Sequence, residues 1–131
     1  MIGLLIVTHC NLGKEFLKAA EFIVGHMDAV DVVSITQTLE SKEIHKMIEN
    51  KISVLNQGQG VIILTDMFGG TPSNLSLSFL KDKMVEVLTG VNLPMVIAIA
   101  QNRSDIELGE LAEKAQEAGK MSISRAGNLL K

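Results

Sequence analysis

At 131 residues the chain has the size of one domain, 1–131, with a core of its own. Hydrophobic residues make up 47%, too many for a disordered chain, and no apolar stretch reaches the roughly 18 residues of a membrane span. A net charge of −3, no basic block, four Phe and no Trp or Tyr exclude the clustered cations and stacking rings of a nucleic-acid surface. The same shortage of rings weighs against a direct grip on a sugar. Cys10 is the single cysteine, so an internal disulfide is impossible. Met1-Ile2-Gly3 opens straight onto an apolar run with no basic n-region or cleavage site. Together these features predict a cytoplasmic protein.

Buried runs alternate with amphipathic segments, the pattern of an α/β domain with a mostly parallel, doubly wound sheet and helices on both faces. Residues 2–8 read as the first strand. Asn11 is placed to cap a helix whose stripe is Leu12, Phe16, Ala20, Ile23 and Met27. Residues 30–35 form the second strand. Ser41 opens a helix with Ile44, Ile48, Ile52 and Leu55 on one face and Gly58 at its stop. Residues 61–65 form the third strand, and Thr71-Pro72 starts the next helix, with Leu75 and Phe79 facing inward. Residues 84–89 are a fourth strand. The run 94–100 reads equally as a buried helix behind Pro94 or as a further strand. Ser104-Asp105-Ile106-Glu107 is a capping box for a last helix that stops near Gly119. Met121 and Ile123 alternate with Ser122 and Ser124, as on a C-terminal edge strand.

His9 ends the first strand and Asp66 follows the third, beside Gly69-Gly70-Thr71-Pro72-Ser73-Asn74. In open α/β sheets, chemistry gathers at the carboxyl edge of the strands. A phosphoryl-carrying histidine needs one neutral ring nitrogen as nucleophile and an acceptor that holds the proton of the other. His9 and Asp66 are the candidate catalytic pair. Gly69 and Gly70 permit close backbone approach, a helix starting at Thr71 offers free N–H groups, and Thr71 and Ser73 add hydroxyls. These four are the candidate phosphoryl-binding residues, with no metal or cofactor required.

Other residues carry less. His26 sits near a helix end, as a favourable cation or an exposed side chain. His45 lies off the Ile44/Ile48 stripe and reads as solvated. Cys10 reads as a small, partly buried thiol, and the methionines as core filler. Gly58-Gln59-Gly60 precedes a strand, so it is no dinucleotide fingerprint, and no P-loop, G-x-S-x-G or C-x-x-C appears. A receiver-like domain phosphorylated on Asp66 would want acidic residues after the first strand, where Thr8, His9 and Cys10 stand.

Three blocks resemble a known family: Ile6-Val7-Thr8-His9, the segment from Thr65 through Asp66 and Gly69-Gly70 to Asn74, and Thr89-Gly90-Val91-Asn92-Leu93-Pro94-Met95. They are similar, in the same order across essentially the whole chain, to the IIA component of the mannose/fructose/sorbose-type bacterial sugar phosphotransferase system. The resemblance implies that His9 accepts a phosphoryl group from phospho-HPr and passes it to a IIB component. It implies that Asp66 hydrogen-bonds the histidine and that residues 94–100 are helical. It also implies a homodimer, with residues 121–124 exchanged between subunits, associated with a membrane permease complex through its partners. Sugar choice would lie with those other components, and a IIB partner would be a separate protein. Members often carry glycine after the histidine and tryptophan before the Gly-Gly pair; here Cys10 and Phe68 stand there. The alternative is a regulatory phospho-sensor of the same fold, uncoupled from uptake.

Overall fold

Leu4, Leu5, Ile6 and Val7 are completely buried, and so are Ile62, Ile63 and Leu64. A strand hidden on both faces belongs in the middle of a parallel sheet covered by helices on both sides. Each such Ile or Leu contributes roughly 1.5–3 kcal/mol of burial. The computed structural model, which describes residues 1–130, has this arrangement. Its elements are β1 (Gly3–His9), α1 (Leu12–Val24), β2 (Val30–Ile35), α2 (Ser41–Leu55), β3 (Val61–Thr65), α3 (Thr71–Leu77), β4 (Val85–Thr89), α4 (Leu93–Asn102), α5 (Leu108–Met121) and α6 (Ala126–Leu129).

The four strands are all parallel, in the order β2-β1-β3-β4. One side chain set along β1 and β3 (Leu4, Ile6, Ile62, Leu64) packs under α1, α4 and α5. The alternate set (Leu5, Val7, Ile63) packs under α2, with Leu75 and Phe79 of the α3 region. The chain leaves β1 toward β2 on one side and returns to β3 on the other. The β1/β3 boundary is therefore the point where the winding reverses, and α/β sheets open a crevice there.

Residues 94–100 lie within α4, whose first turn Asn92 caps by accepting a bond from the Met95 N–H at 3.2 Å. The expected capping box does not form. Ser104 to Glu107 make the turn between α4 and α5, and α5 begins at Leu108 with no side-chain cap among the described residues. Packing decides this. Ile106 and Leu108 are drawn into the core, and the buried Arg103 anchors the corner by donating to the carbonyls of Ile2, Asp28 and Ala29. Burial pushes that guanidinium below its ordinary pKa, offset in part by Asp28.

The expected C-terminal edge strand is also corrected. Met121 is the last residue of α5, Ser122 caps it through the Gly119 carbonyl at 2.8 Å, and Ile123 follows in an exposed turn. α5 ends two residues past Gly119, near the expected stop, and Gly119 is also a packing glycine. A Cβ there would sit 2.6 Å from Met95 Cγ, so its missing side chain lets α5 approach α4. Met27 and Met95 fill the core, whereas Met67 and Met121 are exposed. His45 is half-buried, its ring stacked on Phe79 at 4.4 Å between centroids.

Candidate functional site: a histidine at the switch point

Val7 pairs with Thr65, the last residue of β3. β1 runs two residues further, so Asp66 leaves the sheet alongside His9. The carboxylate then holds the histidine twice. Asp66 Oδ2 accepts the His9 backbone N–H at 3.0 Å and lies 2.8 Å from His9 Nδ1. Its other oxygen accepts the Met67 N–H at 3.1 Å. A carboxylate oxygen accepts, so Nδ1 carries a proton, and in the neutral ring Nε2 is then the nitrogen with the lone pair. Nε2 has no hydrogen-bond partner among the described residues, and the His9 side chain is 46% exposed against 11% for Asp66.

Burial raises the Asp66 pKa, but hydrogen bonds from the His9 ring and backbone, with its nearby charge, more than reverse this. The carboxyl ends below its ordinary value of 3.8. It is an anion at neutral pH, which the orienting role requires.

The strand-to-helix turn after His9 is tight. Cys10 adopts a left-handed φ of +51°, and its N–H reaches across to the Ile35 carbonyl at 2.9 Å. Its thiol is exposed, contrary to the expected half-burial. The expected Asn11 cap makes no side-chain bond among the described residues; Thr8 Oγ1 accepts the Gly13 N–H instead, at 2.8 Å.

The glycine segment approaches from β3. A Cβ at Gly70 would lie 2.9 Å from His9 Cε1 and 3.4 Å from Nε2, so only glycine lets the backbone reach the ring edge that bears the lone pair. Gly69 takes φ +88°, and its carbonyl accepts from Asn74 Nδ2 at 3.4 Å. Thr71 is exposed at the first position of α3, where its N–H has no intrahelical acceptor. Ser73 is placed differently: it is fully buried, and its hydroxyl has no partner among the described residues. Met67 and Phe68, between Asp66 and the glycines, are exposed, as is Leu12 at the start of α1.

A fixed imidazole with one bare nitrogen, open to solvent at the switch point of a doubly wound sheet, is equipped for nucleophilic chemistry. The family described as PTS system fructose IIA component (EIIA-man) matches residues 3–116. The chain belongs to this family of phosphotransferase-system IIA components.

It is 28% identical over 124 residues to the mannose-specific EIIAB component of Escherichia coli (strain K12), covering 93% of this chain and 38% of that protein. The chain thus spans well under half the length of that relative. The sorbose-specific EIIA component of Lacticaseibacillus casei is 28% identical, with 92% of this chain and 90% of the relative covered. Among solved structures, the phosphotransferase system component EIIA from Streptococcus agalactiae superposes with a TM-score of 0.89 at 26% identity, covering 98% of this chain and 99% of the other. The PTS IIA protein associated with the fucose utilization operon from Streptococcus pneumoniae gives 0.83 at 30% identity, with 98% and 96% covered.

No helix among the described residues is long and apolar enough to cross a membrane. Two caps had no role assigned from the sequence: Thr8, which caps α1 beside the site, and Asn92, which caps α4 away from it and also holds the Gly119 carbonyl at 3.0 Å. Asn before Leu-Pro is a readable cap signal. Thr8 carries none, because it caps from inside a strand.

Proposed function

We propose that the chain is a cytoplasmic phosphoryl carrier of a sugar phosphotransferase system, with His9 Nε2 as the acceptor atom. The donor is the phosphohistidine of HPr, and the acceptor of the second step is a IIB component, which can belong to a membrane permease complex. One observation carries the reading: Asp66 holds Nδ1 at 2.8 Å and leaves Nε2 open at a half-exposed ring. The Nε2 lone pair attacks phosphorus, the donor's P–N bond breaks, and its electron pair returns to the donor imidazole. The Nδ1 proton stays in its bond to Asp66, which stabilises the positive charge that the ring gains. The second transfer runs the same way outward, with His9 as leaving group.

The phosphoryl oxygens meet the backbone of Gly69 and Gly70, and the N–H and hydroxyl of Thr71. Ser73 is left out because its hydroxyl is buried. The working assembly is a homodimer. The end of α5 and the segment beyond it expose Met121, Ile123, Leu129 and Leu130, and β4 ends the sheet with an open edge. An open edge seeks a partner strand. Truncation after Met121 is expected to give a monomer in sedimentation. A dimer that survives the truncation contradicts this assembly.

Incubation with enzyme I, HPr and phosphoenolpyruvate, followed by intact mass, tests the function. The protein gains the mass of one phosphoryl group if the reading holds. No gain with an active donor overturns it.

A further inference from the structure

The turn that carries His9 is fastened from three directions, and one fastening comes from the strand itself. The His9 N–H is held by Asp66 and the Cys10 N–H by Ile35. The third bond runs from the Gly13 N–H to Thr8 Oγ1, at 2.8 Å and buried. Gly13 is the second residue of α1, where an N-terminal cap normally acts, and Asn11 in the cap position leaves the task undone. The cap acceptor therefore lies on the far side of His9 and Cys10 from the helix it caps. The bond closes a short loop around both residues.

Space enforces the closure. Thr8 is wholly buried, and a Cβ at Gly13 would come within 3.2 Å of both Thr8 Oγ1 and Ile6 Cγ2 and 3.4 Å of the Ile6 carbonyl. The first turn of α1 thus lies directly on β1. Thr8 and His9 are adjacent in a strand, so their side chains leave opposite faces of the sheet. The histidine is held by Asp66 at the β3 side, and the backbone beneath it is held by Thr8 from the α1 side. If the Thr8 bond is lost, α1 can draw away, Cys10 can leave its left-handed φ of +51°, and the turn that carries His9 loses one of its three fastenings. The Nδ1–Asp66 distance then becomes variable.

We infer that Thr8 is a positioning residue for the phosphoryl-accepting histidine, acting through the Gly13 N–H to set the ring's orientation and tautomer. The role in transfer rests on the proposed function, whereas the role in orientation does not.

The test has two readouts on Thr8→Val, which keeps the shape and removes the oxygen, and on Thr8→Ser, which keeps the oxygen. Thr8→Ala replaces the valine variant if that one fails to fold, since it also lacks the acceptor and adds no strain. Nitrogen NMR of the unphosphorylated ring reports the tautomer. The parent protein and Thr8→Ser should show the Nδ1–H form, and Thr8→Val should show a mixture of both. Phosphoryl uptake from phospho-HPr should fall about tenfold in Thr8→Val, the rate equivalent of one lost cap. The donor concentration at half-maximal rate should stay unchanged, and Thr8→Ser should recover the rate. A folded Thr8→Val with a single Nδ1–H tautomer and the parent rate overturns the inference. So does a Thr8→Ser as slow as Thr8→Val. If even the parent protein takes up no phosphoryl group, the proposed function falls, and the tautomer still decides the role of Thr8.

Discussion

Two histidines in this molecule sit against carboxylates, and only one of them leaves a ring nitrogen unpartnered among the described residues. His9 Nδ1 lies 2.8 Å from Asp66, a partner 57 residues away that also fixes the histidine backbone. His26 Nε2 lies 3.0 Å from Asp28, and its Nδ1 lies 3.3 Å from Glu21, both close in sequence. His26 is 79% exposed, at the opposite edge of the sheet, with carboxylates facing both ring nitrogens. It has no nitrogen reserved for a nucleophilic role, and exposed pairs of that kind add little to stability. Pairing with a carboxylate is therefore not the distinguishing property. The site depends on leaving one nitrogen open while a long-range contact fixes the other.

Exchange of the two histidines for alanine gives the largest expected contrast. His9→Ala is expected to fold and take up no phosphoryl group in the intact-mass assay. His26→Ala and His45→Ala are expected to label as the parent does. Labelling of His9→Ala, or its loss in His26→Ala, breaks the comparison.

Removing the charge of Asp66 comes next. Asp66→Asn places an amide donor where the ring needs an acceptor, and transfer is expected to slow about a hundredfold or more. The same variant tests pH dependence. The Asp66 carboxyl is held below its ordinary value in the folded state. A depressed carboxyl contributes stability that is complete above the unfolded value and lost as pH falls through the folded one. The parent protein should therefore lose this contribution below the ordinary carboxylate range, and Asp66→Asn should lose less there. Identical acid limbs in urea unfolding would show that the pair does not contribute.

Much of this site could be read from the sequence, because its two partners end unbroken apolar runs. The strands 30–35 and 61–65 and the helix starts at Ser41 and Thr71 appear as expected. Long buried runs report burial, and burial decides a parallel strand. Short polar signals fared worse because packing overrides them. The Ser104–Glu107 box yielded to the packing of Ile106 and the burial of Leu108, whereas α5 does end near Gly119, which also serves close packing on Met95. The alternation at 121–124 came from a helix end and its turn, since two apolar residues spaced by serine fit both. Ser73, with its buried hydroxyl, lies where no motif shows which way a side chain turns.

A smaller effect is expected at Gly70. Gly70→Ala would put a methyl 2.9 Å from His9 Cε1 and displace the ring edge that must meet phosphorus. Overpacking of that kind costs about 1–3 kcal/mol, so transfer should fall about two- to tenfold if half of it reaches the barrier. A Gly70→Ala protein with the parent rate would mean that the glycine segment is not close in the reacting state.

The smallest effect belongs to Cys10. Cys10→Gly relieves a left-handed φ but frees the unfolded chain, two terms of about 1 kcal/mol that oppose each other. Thermal stability should change little, and transfer should be retained, since phosphorus moves between imidazoles without a thiol. A large loss of rate would bring the thiol into the reaction.

The most direct measurement is the position of the phosphoryl group on the labelled protein, by phosphorus and nitrogen NMR of the intact chain. The account predicts a single phosphohistidine, at Nε2 of His9, with Nδ1 still protonated and bonded to Asp66. A phosphoryl group on His9 Nδ1, on His26 or on the Asp66 carboxylate would contradict it.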